Sequence, residues 1–258
     1  MKYIISIFLL FFFFLIGWTG MVFAQNQFQC TIGGGGDDEG LSIVQTTGGG
    51  YAIAGSTRSF GAGYDDIYIV KLNANGTLQW SKTIGGPSAN GDIGWSIIQT
   101  FDGGFAVAGF IGSSGSSTDL YIVKLDINGS IQWNKTVGGT SYDYGRSIIQ
   151  TSDGGYAVAG ITSSFGAGGD DMFIVRFDSE GNVQWSRTIG GTGNDYALSI
   201  IQSTDGGFAI AGTTYSFGAG NGDVYIVKLD ANGSLLWNRT IGGTSTDEAY
   251  SIVQTTDG

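Results

Sequence analysis

A block of about fifty-two residues is written four times along this chain and begun a fifth time. Its closing tryptophan falls at Trp80, Trp133, Trp185 and Trp237, and the serine of a recurring Ser-Ile-[Ile/Val]-Gln falls at Ser42, Ser96, Ser147, Ser199 and Ser251. Repeats of this length confine a chain to architectures in which one supersecondary unit stacks on the next. In the third unit, Ser147 to Thr151 is a short β-rich run, Asp153-Gly154-Gly155 is a tight turn, and Tyr156 to Gly160 resumes with aromatic and β-branched residues. A longer loop, Ser163 to Asp170, leads to Asp171 through Phe177, whose unbroken apolar character marks a strand covered on both faces. Residues 178–182 turn the chain into Val183 through Ile189, and Gly190-Gly191 closes the unit. These four strands are A to D, and no helical spacing follows residue 24.

One four-stranded sheet is too small to bury two apolar faces, so neighbouring sheets must cover each other. The expected fold is therefore all-β: a β-propeller of four-stranded antiparallel blades, with full repeats near 41–86, 95–139, 146–191 and 198–243. A partial blade is expected from 28–34 and 250–258, because Phe28 to Gly34 reads as a D strand and the chain stops inside an A-to-B turn. That phase implies truncation from a larger ring. A parallel β-helix would meet the same burial demand, but its coils are usually shorter and lack regular Asp-Gly-Gly hairpins.

Residues 1–24 read as a signal peptide. Lys2 supplies the positive end, residues 4–16 are apolar but for Ser6, and Val22-Phe23-Ala24 offers a cleavage site before Gln25. The expected location is secreted or cell-surface, with membrane attachment only if this segment is uncleaved. Cys30 is the single cysteine, so no intrachain disulfide staples the domain.

With 22 acidic against 11 basic residues the net charge is −11, which disfavours nucleic acid and anionic lipid as partners. In an up-and-down blade the A-to-B and C-to-D turns share one face of the disc, while the B-to-C loops and D-to-A links share the other. Fourteen of the 22 acids belong to that second face, opposed there by Arg58 and Arg146. Five of them, Asp38, Asp92, Asp143, Asp195 and Asp247, stand four residues before each Ser-Ile-[Ile/Val]-Gln. They are the candidate Ca²⁺ ligands, and the competing reading is that they accept backbone N–H groups and shape the loops.

Catalytic arrangements are constrained further. Without a histidine there is no Ser-His-Asp triad, and with one cysteine a zinc site lacks donors. The glycine clusters precede no helix and so do not cradle phosphate. Paired carboxylates are plentiful enough for glycan chemistry, yet such a pair should break the repeat, and the units differ mainly in small polar loop residues. Trp80, Trp133, Trp185 and Trp237 lie on strand D with a branched or aliphatic residue two positions earlier, a pattern that favours packing between blades over sugar platforms.

The runs GYAVAGITSSFGAG from Gly155 to Gly168 and DVYIVKLDANGSLLWNRTIGG from Asp223 to Gly243 resemble the secreted β-propeller repeats of archaeal and bacterial surface proteins. That resemblance implies fold and placement more than activity. The stretch from Leu229 to Trp237 is also similar to the tryptophan-docking motif of quinoprotein propellers. Those enzymes hold pyrroloquinoline quinone with a vicinal cysteine pair and Ca²⁺, and this chain departs from them in having one cysteine. The expected function is a non-catalytic extracellular scaffold, with no cofactor, whose acidic loop face binds a protein, a polysaccharide or a cation. The alternative is a carboxylate-dependent glycan-active or quinoprotein-like enzyme.

Overall fold

The computed structural model describes residues 28–87, 90–112 and 117–256, and the expected leader lies outside them. Sixteen strands form four antiparallel sheets, each ordered along the chain from A to D. Blade 1 comprises β1 (Asp38–Gln45), β2 (Tyr51–Thr57), β3 (Asp66–Leu72) and β4 (Leu78–Ile84). Blade 2 comprises β5 (Ile93–Gln99), β6 (Phe105–Gly112), β7 (Thr118–Leu125) and β8 (Ile131–Val137). In blade 3 the strands are β9 (Asp143–Gln150), β10 (Tyr156–Thr162), β11 (Asp171–Phe177) and β12 (Val183–Ile189), and in blade 4 they are β13 (Asp195–Gln202), β14 (Phe208–Thr214), β15 (Asp223–Leu229) and β16 (Leu235–Ile241). The described residues contain no helix.

Successive A strands pack side by side, and each also lies across the B strand of the sheet before it, whereas no two D strands come together in this way. The sheets therefore fan out from their A strands as propeller blades do. Burial follows the same logic. One core cluster joins Ala54 and Ile69 of blade 1 to Ile97, Phe105 and Val123 of blade 2. A second joins Ala108 and Leu120 to Tyr156 and Val175, and a third joins Ala159 and Met172 to Ile200, Phe208 and Val227. The apolar cores lie between sheets, and each fully buried Leu, Ile or Phe in them contributes about 2 kcal/mol.

The Ser-Ile-[Ile/Val]-Gln motif is the clasp of this stacking. Ser42 Oγ accepts from Ile97 N–H at 3.2 Å, Ser96 Oγ from Ile148 N–H at 3.3 Å, and Ser147 Oγ from Ile200 N–H at 3.3 Å. Each glutamine reaches backwards: Gln99 Oε1 accepts from Thr47 N–H, Gln150 Oε1 from Phe101 N–H and Gln202 Oε1 from Ser152 N–H, all at 2.8 Å. One motif thus bonds to the blade on either side.

Tryptophan closes the outer part of the same interface. Trp80 meets Phe105 edge-on with centroids 5.7 Å apart, Trp133 meets Tyr156 at 5.4 Å, and Trp185 meets Phe208 at 5.6 Å. The indole N–H of Trp80 donates to Ile127 O at 3.1 Å in the next C-to-D turn. That turn needs glycine twice over: Gly129 has φ +82°, and a β-carbon there would fall 2.9 Å from the Trp80 ring. Among the described residues no further sheet covers Trp237, which is 44% exposed.

The two described end segments take D and A positions without joining a ladder, and among the described residues no C or B strand lies beside them. Phe28 sits on Tyr51 at 5.8 Å, as Trp80 sits on Phe105. At the other end Ile252 N–H donates to Ser199 Oγ at 3.3 Å and Gln254 Oε1 accepts from Thr204 N–H at 3.0 Å.

Candidate binding face

The D-to-A links and B-to-C loops are organised by the aspartates that open strand A. Asp143 Oδ2 accepts from Gly139 N–H at 2.8 Å and from Ser164 Oγ at 2.6 Å, while Oδ1 takes the Thr162 hydroxyl. Asp38 repeats this with Gly34, Ser59 and Thr57, and Asp195 with Gly191 and Ser216. Asp92 accepts from Gly86 and Gly112 N–H, and Asp247 from Gly243 N–H. These carboxylates bind the link to its loop, the role of aspartate in a fixed turn. At Asp38 burial works against ionisation, but the hydrogen bonds from Ser59, Thr57 and Gly34 outweigh it and lower the pKa.

Strand C opens on a second set of buried acids, Asp66, Asp171 and Asp223, each with Oδ1 shut off from solvent and making no hydrogen bond. Asp171 faces Asp195 across Gly190, and burial, with the charge of Asp195 adding to it, raises the Asp171 pKa. Asp66 and Asp92 are related in the same way across Gly85, and burial raises both. Ca²⁺ takes six to eight oxygens, whereas among the described residues no three acidic groups converge on one point. The five aspartates singled out by spacing thus sit in five separate junctions. The quinoprotein set does not fit either: Cys30 is exposed and alone.

The charge of the face is uneven. Arg58 pairs with Asp65 at 2.9 Å and with Asp37 at 3.5 Å, and its guanidinium lies 4.8 Å from the Tyr64 ring. Arg146, expected to oppose the loop acids in the same way, makes no ion pair among the described residues. It comes from the A-strand bulge, a place where one residue has no partner on strand B. The register skips Leu41, Trp95, Arg146 and Leu198, because Gly55, Gly109, Gly160 and Gly212 let the bulged backbone approach strand B closely.

The bulge residues of neighbouring blades meet at the inner edge. Arg146 Cζ stands 3.9 Å above the Trp95 ring and 5.9 Å from the Tyr144 ring. Tyr144 in turn packs on Phe110 at 4.8 Å and stacks with Tyr142 at 6.2 Å. Arg146 Nε and Trp95 Nε1 are both buried without a hydrogen-bond partner among the described residues. Burial lowers the Arg146 pKa, with Tyr144 acting in the opposite sense.

This cluster corrects the expectation that the units differ mainly in small polar loop residues. The bulge reads Leu41, Trp95, Arg146, Leu198 and Tyr250, and the position two before it varies as well, as Glu39, Ile93, Tyr144, Tyr196 and Glu248. Those two divergent columns of strand A were the available signal.

The opposite face carries a repeated ion pair that sequence reasoning also passed over. Lys124 Nζ lies 2.8 Å from Asp102 Oδ2, Arg176 2.6 Å from Asp153, and Lys228 2.9 Å from Asp205. Blade 1 has Gly48 where its siblings have aspartate, so Lys71 bonds only Leu72 O and Gln79 Oε1.

A curated relative, the Caulobacter vibrioides "Regulatory protein FlaEY", is 26% identical over 240 residues, which span 82% of this chain and 25% of that protein. The chain thus spans about a quarter of the curated relative it matches. Among solved structures, BamB from Moraxella catarrhalis aligns over 78% of this chain and 65% of that one, at 16% identity and a TM-score of 0.45. A Bacteroides caccae protein of unknown function aligns over 79% and 67% respectively, at 13% identity and a TM-score of 0.46. A model of a β-propeller domain of unknown function matches residues 51–78. The model of the PQQ_2 family, described as "Outer membrane protein assembly factor BamB", matches residues 65–258, and the chain belongs to that family.

Proposed function

We propose that this chain is a non-catalytic scaffold that works outside the cytoplasm and holds a protein partner on its B-to-C loop face, around the inner edge of blades 2 and 3. The observation that carries this reading is the bulge column. Four blades repeat their cores and clasps, while Trp95, Arg146 and Tyr142, which have no counterpart of the same type in the other described blades, collect in one place beside Tyr144. A rigid frame whose aromatic and charged differences gather where loops and inner edges face outward has the layout of a binding module. Membership in a family described by an assembly factor, and the leader-like residues 1–24, support placement in the cell envelope.

A photo-crosslinking amino acid at Tyr142, which is 43% exposed, tests the proposal in living cells. The same group at Ile127, on the opposite face and 58% exposed, is the control. One discrete adduct from position 142 and none from position 127 is the expected result. Adducts from 127 alone, or from neither position, contradict it.

A further inference from the structure

We infer that the Arg146–Trp95 stack is a carboxylate-binding pocket, and that its ligand is a single acidic residue or chain-terminal carboxylate within an otherwise basic peptide segment of the partner. The inference rests on the reading of this face as the binding surface and names its ligand chemistry. Three features carry it.

First, the pocket contains donors and no acceptor to match them. Among the described residues Arg146 Nε and Trp95 Nε1 are buried without a hydrogen bond and the guanidinium makes no ion pair, although the loop face is rich in acids. A half-buried guanidinium held by stacking keeps its forked edge for a planar bidentate acceptor, which a carboxylate supplies.

Second, the aromatic faces are already in use. Trp95 is covered by Arg146 at 3.9 Å, and Tyr144 lies between Phe110 and Tyr142. Tyr142 is the exposed ring of this group, at 43%, and one of its faces is taken by Tyr144, so a single partly covered ring is a poor platform for a sugar, which favours a peptide carboxylate over a uronate glycan. Third, the surroundings are acidic: the chain carries a net charge of −11, and the Asp170 carboxylate is partly exposed where blade 3 meets blade 4. A polyanion would be repelled from the rim, whereas a basic segment carrying one carboxylate matches rim and pocket together.

The test uses the full chain freed of residues 1–24 and an array of lysine- and arginine-rich decapeptides, each made in paired versions with Glu or Gln at one position and with a free or amidated C-terminus. Oligogalacturonate is the glycan probe. At least one pair is expected to bind tenfold or more tightly in its carboxylate version, and Arg146→Leu, which copies Leu198 of the next blade, is expected to erase the difference. Arg146→Lys, which keeps the charge and loses the fork, should reduce it at least threefold. Equal binding within every pair, insensitive to both substitutions, would overturn the pocket while leaving the face as a binding surface. Binding of oligogalacturonate that is tighter than any peptide and lost in Arg146→Leu would overturn the peptide assignment. No binding across the array, with no adduct from position 142, would overturn both readings.

Discussion

Single residues show where the repeat has been tuned and where it has been left incomplete. Lys71 is nearly buried, and burial lowers its pKa because no carboxylate stands where Asp102 stands for Lys124. Gly48 has open space around it, so Gly48→Asp should supply the missing partner and raise stability by about 1 kcal/mol, as measured by urea unfolding. In blade 2 burial pushes the Asp102 carboxyl up, but Lys124, Thr100 and Gly104 together pull it down to about 2. Because the folded pKa lies below the ordinary value, the stability this pair contributes is complete above about pH 4 and is lost as the pH falls towards 2. Asp171 has the opposite sign: its pKa is raised, so ionisation at neutral pH opposes folding. Asp171→Asn keeps an oxygen for Ala167 N–H, which now bonds Oδ2 at 2.9 Å, and turns an amide towards Asp195. It should stabilise the protein by about 1 kcal/mol at pH 7 and have less effect at pH 4, as thermal melts at the two pH values will show.

At the scale of the element, each blade is a sheet that stays dry only through its neighbours, and strand D shows this by contrast. Trp185 packs on Phe208 and donates to Ala231 O at 3.3 Å, whereas Trp237 in the same position of blade 4 is 44% exposed. Trp185→Ala should therefore cost about 3 kcal/mol or more, and Trp237→Ala less than about 1 kcal/mol, in parallel denaturant titrations. Equal losses would mean that the tryptophans act within their own sheets. Much of this was legible in the chain itself. The four strands per unit, the hairpin turns and the D-strand tryptophans follow from spacing, because each answers to a local rule about turns or alternation. The clasp was not legible. Ser147 and Gln150 are unremarkable polar residues until the sheets stack and place Ile200 N–H and Phe101 N–H within reach. The Lys124–Asp102 pair was hidden for the same reason, since it links strand C to a turn twenty-two residues away.

The whole molecule consists of a repeated frame and, at the inner edge of blades 2 and 3, a cluster of divergent aromatic and charged side chains. The acids that spacing brought forward, Asp38, Asp92, Asp143, Asp195 and Asp247, are distributed over the junctions and bound into loops, so they describe the frame. Trp95 and Arg146 lie fifty-one positions apart in the sequence and 3.9 Å apart in space. Only the bulge register and the approach of successive A strands join them, which is why the pattern of residue types alone did not mark them as a site. Arg146→Leu separates frame from function most directly, because it gives blade 3 the bulge residue that blade 4 already carries. Thermal unfolding of this variant should match the parent within about 2 °C, since no hydrogen bond or ion pair of Arg146 is lost, while the cross-link from position 142 disappears. A melting temperature lowered by roughly 8 °C or more, with the cross-link intact, would make Arg146 part of the frame and contradict the account.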